Sequence, residues 1–251
     1  MMSPIFDTGL YVGSTAASKV YLGATEVWSS GPPADPFFSN VKVLIRANGT
    51  QGQTTFTDLS SSSNSITTQG SAIVDTNTVK FGTGSLSTTV GGSRLTAPAG
   101  SLGVIDYTTP LTIEFFAFIP TITTNQYALE FYENSAGQTI RIQFINTNRY
   151  DVILKGAQKT SGTNAVPVNQ WIHFAVTWDN SLVRIFINGV QNATATRTNQ
   201  GSIGATETLA LGGRVNGGNS LLGYMDEIRI TIGTARYTSN FTPPTAEFAN
   251  Y

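Results

Sequence analysis

Apolar and polar side chains alternate along much of this chain with the two-residue period of an extended strand, most clearly from Trp171 to Gly189. Ile172, Phe174 and Val176 fall on one face, and Trp171, His173, Ala175 and Thr177 on the other. The short polar side chains of Asp179-Asn180-Ser181 predict a turn. A second run then sends Val183, Ile185 and Ile187 to one face and Leu182, Arg184, Phe186 and Asn188 to the other. It ends at Asn188-Gly189, a pair suited to the positive φ of a tight hairpin. An antiparallel hairpin with so thick an apolar side needs a second sheet to cover it.

The same period recurs elsewhere. Strands are predicted for Val41 to Ala47, Ser85 to Val90, Tyr127 to Tyr132, Thr139 to Ile145, Tyr150 to Leu154, Thr208 to Leu211 and Leu221 to Ile232. In Leu111 to Ile119, Leu111, Ile113, Phe115 and Ala117 share one side, and Thr112, Glu114, Phe116 and Phe118 the other. Aromatic rings on both faces predict a central, largely buried strand. No stretch shows a helical period, so the fold expected is all-β, a two-sheet antiparallel sandwich. Phe241, Pro243, Pro244 and Phe248 are expected to fold back over the open edge as a cover.

Residues 1–30 carry a short repeat, in which Leu10 to Thr15 is echoed by Val20 to Thr25. Two rungs are too few for a solenoid, and thirty residues cannot bury Tyr11, Tyr21 and Trp28 by themselves. This segment is read either as a strand pair that packs on the same protein's sandwich or as an attachment element, with Tyr11, Tyr21 and Trp28 as its anchors on a partner. The proline-rich run within residues 31–40 marks the joint, and residues 41–251 form the main domain.

Composition narrows the function. Charged residues are only 12% of the chain and the net charge is −1, which gives no electrostatic drive toward nucleic acid or an anionic membrane. With no cysteine, disulfides and thiolate zinc sites are excluded, and one histidine excludes a multi-histidine metal site. The first residues lack a basic, apolar leader, and no 18-residue apolar run occurs, so neither a secretory signal nor membrane insertion is expected.

The Trp171 to Gly189 order, with KFGTGSLSTT at Lys80 to Thr89, LTIEFFAFIP at Leu111 to Pro120 and the closing segment Leu221 to Phe248, resembles the laminin G-like, concanavalin A-like jelly-roll domains. Ala235-Arg236-Tyr237 followed by Asn240-Phe241-Thr242-Pro243-Pro244 looks like the version in phage virion proteins. The resemblance runs from Val41 onward and implies a concanavalin A-like jelly roll. It further implies a non-enzymatic tail, tail-fibre or head-fibre component, made in the host cytoplasm, that displays a lectin-like domain toward host-surface polysaccharide. Other virion proteins would be held through residues 1–30, and a fibre of this kind is expected to be a homo-oligomer, by analogy a trimer. A purely architectural decoration or adaptor protein and a bacterial carbohydrate-binding module are the alternatives.

The candidate chemistry is sparse. The Glu-x-Asp-x-x-Glu run of the glycosidases with this fold is absent, and Glu114 stands among aromatics without an evident partner. His173 reads as a structural hydrogen-bonding residue, and the glycine-rich run Gly212 to Gly218 as turn chemistry. No cofactor is required. Some relatives hold a structural calcium ion, which the resemblance places at Asp58 and Asp226; the plainer expectation is that Asp226 binds backbone amides and Glu227 pairs with Arg229 or Arg236. For glycan binding, exposed rings and planar polar groups at predicted loops are the candidates: Tyr127, Tyr132, Tyr150, Asn146, Asn148, Arg149, Asn216 and Asn219.

Overall fold

The structure, a computed structural model, describes residues 34–106, 108–133, 137–154, 158–162, 165–179, 182–196, 202 and 207–251. It also gives the backbone of four short strands between 11 and 29. These four form two antiparallel pairs, β1 (Tyr11–Val12) with β2 (Thr15–Ala16) and β3 (Lys19–Leu22) with β4 (Thr25–Ser29). Each rung of the repeat thus opens a small hairpin. The side chains of Tyr11, Tyr21 and Trp28 lie outside the described residues, as do Asn180 and Ser181 of the predicted turn.

The main body is a sandwich of two antiparallel sheets. The first runs in the order β17 (Val190–Thr196), β16 (Leu182–Ile187), β15 (Trp171–Asp179), β10 (Leu111–Phe118), β19 (Tyr224–Ile232), β8 (Ser85–Ser87) and β7 (Ile73–Asp75). On the far edge of β19, β5 (Val41–Ile45) pairs beside β8. The second sheet is ordered β14 (Gln158–Ser161), β13 (Arg149–Leu154), β12 (Gly137–Ile145), β11 (Gln126–Glu133), β18 (Thr208–Leu211), β9 (Arg94–Ala97) and β6 (Thr67–Gln69). The predicted all-β sandwich is therefore what the chain forms, and β10 is central as its two-faced aromatic pattern required.

The inward faces are those that the alternation marks. Ile113 and Phe115 of β10, Ile172, Phe174 and Val176 of β15, and Val183 and Ile185 of β16 are all sealed from water. They meet Ile140, Ile142 and Phe144 of β12 and Tyr150 and Val152 of β13. Phe174 is the hub: it stacks on Phe115, directly opposite it in register, at 5.5 Å, and takes the edges of Phe144 at 5.6 Å and Tyr150 at 5.1 Å. Each such side chain contributes about 1.5 to 3 kcal/mol by leaving water. Trp178, also fully buried, keeps its indole N–H satisfied on the Thr109 carbonyl at 2.8 Å.

At the hairpin tip, Asn188 (φ 51°) and Gly189 (φ 76°) take the two positive φ values expected of Asn-Gly. The strand after it, β17, has no apolar alternation to announce it and is mostly exposed or half-buried. Thr54 to Leu59 forms no strand and instead winds through a loop.

The closing segment does not cap an edge as expected; it crosses the outer face of the first sheet. That face carries Val41, Leu44 and Phe116, too apolar to leave wet; Phe248 packs onto them, and Phe38, Leu59, Phe81 and Trp171 pack against the cluster so formed. Residues 35–40 of the proline-rich joint are bound into the same cover. The Asp35 amide donates to the Tyr251 carbonyl at 3.0 Å, its carboxylate receives Arg236 Nη2 at 2.7 Å, and Asn40 Nδ2 donates to Thr234 Oγ1 at 2.9 Å.

Candidate functional site

Glu114 projects from β10 onto that outer face and is fully buried, with Arg229 of β19 directly opposite in register. Arg229 Nη2 lies 2.8 Å from Glu114 Oε1, while Tyr237 OH donates to Oε2 at 2.7 Å and His173 Nε2 stands 3.2 Å from it. Burial alone would raise this carboxyl, but the Arg229 charge, with His173 and Tyr237, outweighs it and holds Glu114 down at about 2. The residue expected to stand alone is thus the centre of an ion-pair cluster. Arg229 and Arg236 are taken by Glu114 and Asp35, so Glu227 does not pair with either of them.

Asp226 and Glu227 sit where β19 bulges against β10, and Glu227 adopts φ 50°, a conformation rarely found in a strand. The kink sends their carboxylates to different partners. Asp226 Oδ2 accepts the Lys80 and Phe81 amides at 3.2 and 3.0 Å, and Oδ1 that of Glu227 at 2.8 Å. Glu227 Oε2 accepts the Phe248 amide at 2.7 Å, with Arg46 Nε 3.9 Å from Oε1. Burial pushes Asp226 up to about 7 and Glu227 up to about 8, each against the hydrogen bonds it accepts.

Asp58 is occupied in the same manner. Its Oδ1 accepts the Leu44 and Ser60 amides at 2.9 and 3.0 Å, and its Oδ2 the Asn64 amide and Nδ2 at 2.9 and 2.8 Å. N–H groups point their positive ends at the oxygens a calcium ion would need. The pair Asp58 and Asp226 therefore does not fit a calcium site, and no group of three or more acidic or histidine side chains is placed to hold a metal among the described residues.

What the outer face leaves open is a cleft of about 450 Å³ between the sheet and the closing segment. It is lined by Lys80, Phe81, Phe116, Trp171, His173, Asn188 and residues 242–245. Phe81 meets Phe116 edge-on at 5.2 Å, and Phe118 lies between Trp171 at 5.9 Å and Tyr224 at 6.1 Å. Trp171, Phe118, Tyr224 and Phe81 are all half-buried, so this is an aromatic shelf that water still reaches. Lys80 Nζ stands 5.0 Å from the centre of the Phe81 ring and 5.1 Å from that of Phe116.

Polar atoms are built into the same wall. Asn188 Oδ1 accepts the His173 amide at 2.8 Å, which fixes the amide orientation and leaves Nδ2 as the outward donor. His173, 1% exposed, faces Glu114 through Nε2, and its Nδ1 is buried without a hydrogen-bond partner. His173 thus has the structural bond expected of it and also lines the cleft.

The sequence-derived glycan candidates lie elsewhere and come together only in part. Asn125 gathers three of them: its Oδ1 accepts the Asn146 amide at 3.4 Å, its carbonyl receives Asn219 Nδ2 at 3.0 Å, and the Tyr127 amide donates to the Asn219 carbonyl at 2.9 Å. The Tyr127 ring is closed in by the guanidiniums of Arg141 and Arg214, at 5.2 and 5.3 Å. Asn216 accepts the Gly218 amide of its own turn, and Arg149 and Asn148 are exposed at the β12–β13 turn. Tyr132 is half-buried on β11. Tyr150 is not at the surface at all: it leads the inward series Tyr150, Val152, Leu154 and offers no face to a ligand. Trp171, Phe118, Tyr224 and Lys80 are not among those sequence-derived candidates, although the alternation already put Trp171 and Phe118 on the face away from the core.

A sequence profile of the concanavalin A-like lectin/glucanases superfamily matches residues 89–232. The chain belongs to this superfamily. No curated protein matches it significantly in sequence. In fold it is similar to the binding domain of Paraclostridial Mosquitocidal Protein 1 (TM-score 0.60, 13% identity, 80% of this chain and 50% of that one). It is also similar to the botulinum neurotoxin serotype D ligand binding domain in complex with N-acetylneuraminic acid (TM-score 0.59, 9% identity, 82% and 49%). Domain 4 of AbnA, an extracellular arabinanase from Geobacillus stearothermophilus in complex with arabinotriose, is a third (TM-score 0.53, 19% identity, 77% and 93%). The chain spans about half the length of the two toxin domains.

The superfamily includes sugar binders and sugar hydrolases, and these use different chemistry. Hydrolysis needs two carboxyl groups flanking a glycosidic bond, one of them protonated to act as an acid. No carboxylate is among the residues lining the cleft. Glu114, bonded to His173 of its wall, is held ionised by Arg229, His173 and Tyr237, the opposite of what an acid requires, and the two carboxyls that burial raises, Asp226 and Glu227, are sealed from water and do not line the cleft. Rings that water reaches beside fixed polar groups are the requirement for holding a sugar.

Proposed function

We propose that this chain is a non-catalytic, lectin-like adhesion protein that holds a saccharide in the cleft between β10, β15 and the closing segment. The observation that carries this reading is the half-buried shelf of Phe118, Trp171 and Tyr224 beside a cleft whose lining lacks a carboxylate. Sugar rings stack their C–H faces on such side chains, and Asn188 Nδ2 supplies a donor for a hydroxyl. The solved complexes of similar fold with N-acetylneuraminic acid and with arabinotriose are in keeping with it.

In the fuller proposal the protein is a phage tail, tail-fibre or head-fibre component. Residues 1–30 attach it to other virion proteins, residues 41–251 face the host surface, and the assembly is a homotrimer. The resemblance of Ala235 to Pro244 to the version found in phage virion proteins supports this placement. Binding of the purified chain to intact host cells, isolated surface polysaccharide and purified virion proteins tests it. Adhesion to cells or polysaccharide is expected; binding to virion proteins alone would make it an architectural piece instead.

A further inference from the structure

The geometry points to an anionic saccharide, a sugar ring bearing a carboxylate or phosphate, as the ligand of this cleft, with Lys80 receiving the charge. This rests on the sugar-binding reading above and adds the ligand's class to it. Lys80 is half-buried, its ammonium stands over Phe81 and Phe116, and it has no carboxylate partner among the described residues. Asp226 accepts the Lys80 backbone amide and makes no ion pair with its ammonium. By contrast, Arg46, Arg184, Arg214, Arg229 and Arg236 are each within ion-pair distance of a carboxylate.

A cation held at an aromatic wall and left uncompensated gains most from a ligand that brings the anion along with an apolar face. The rest of the wall completes such a ligand. Trp171 brings its half-buried indole to the sugar, and Asn188 Nδ2 a donor for a hydroxyl. A purely neutral glycan would satisfy Trp171 and Asn188 and leave Lys80 idle.

The test is titration of the full chain with matched neutral, uronate-bearing and glycerol-phosphate-bearing oligosaccharides, in low and high salt. Wild-type protein is expected to bind the anionic members about tenfold tighter, the worth of one charge-assisted bond. That preference should fall with salt. Lys80→Met, which keeps the apolar stem over Phe81 and Phe116, should erase the preference, and Lys80→Arg should restore it. The uronate and phosphate arms decide which anion is recognised. Equal affinity for neutral and anionic sugars, unchanged in Lys80→Met, would overturn this inference and leave the sugar site standing. Binding of no saccharide by a folded chain would overturn both.

Discussion

Glu114 and Arg229 stand directly opposite each other on β10 and β19, with 2.8 Å between Oε1 and Nη2, in a setting closed to water. The pair does not merely decorate the outer face. It fixes Tyr237 and His173 around one carboxylate, and Arg229 Cζ lies 3.6 Å from the centre of the Phe248 ring, so the closing segment is held to the same point. Glu114→Ala leaves Arg229 buried with half its compensation gone. A loss of about 3 to 5 kcal/mol is expected, because removing one member of a buried pair strands the other. Urea unfolding reads it as a lower midpoint with an unchanged slope; a loss below about 1 kcal/mol would contradict the arrangement.

The bulge carboxylates give stability an unusual pH dependence. Burial raises Asp226 to about 7 and Glu227 to about 8, so the folded state binds protons that the unfolded chain has released. Their effect on stability therefore declines as pH rises from the ordinary carboxylate range through those values, and the full penalty is present above them. Glu114, Asp35 and Asp75 act in the opposite sense, since their lowered values make stability fall as the solution becomes more acidic than that range. The protein should be most stable in mild acid and lose stability between pH 5 and 8. Glu227→Gln, neutral at every pH, should flatten that decline in thermal melts across the range; an identical slope in the variant would count against it.

Gly189 is where the closing segment touches the central hairpin. Its φ is 76°, and a Cβ built there would lie 1.9 Å from the Phe241 carbonyl oxygen. The Phe241 amide also donates to the Gly189 carbonyl at 2.9 Å. Gly189→Ala should cost more than about 1 kcal/mol, more than the same change gains where the backbone tolerates alanine. It should also open residues 241–251 to protease before the sandwich unfolds. Cleavage no faster than in the parent would show that the contact is not what holds the segment down.

Calcium should be irrelevant to stability. Asp58 and Asp226 already accept four and three N–H bonds, and a cation would have to displace them. Melting temperatures with chelator and with millimolar calcium are expected to coincide. A rise on adding calcium would reopen the site.

Period-two alternation made the core legible, since it depends only on neighbouring residues. Ile172, Phe174, Val176, Val183 and Ile185 face inward as their spacing requires, and the Asn188-Gly189 turn follows from backbone preference alone. The same alternation would have put Tyr150 inside with Val152 and Leu154, had ring chemistry not drawn it into the list of surface candidates. The cover was not legible. Whether Phe116, Leu44 and Val41 are wet or dry depends on Phe248 and Phe38, which arrive from opposite ends of the sequence. Glu114 appeared partnerless for the same reason, its partners lying 59, 115 and 123 residues away. The cleft lies between Trp171 and residues 242–245 of that cover, a matter of tertiary placement that no local pattern records.

Trp171 and its neighbours are the proposed sugar-holding surface. Calorimetric titration of an oligosaccharide selected on the wild-type chain, repeated on Trp171→Ala and on the exposed-loop variants Arg149→Ala and Asn216→Ala, tests it most directly. Trp171→Ala is expected to lose at least about tenfold in affinity, the scale of one well-packed aromatic contact, while both loop variants bind as the parent does. Undiminished binding by a folded Trp171→Ala protein, with the loss appearing in a loop variant instead, would contradict it.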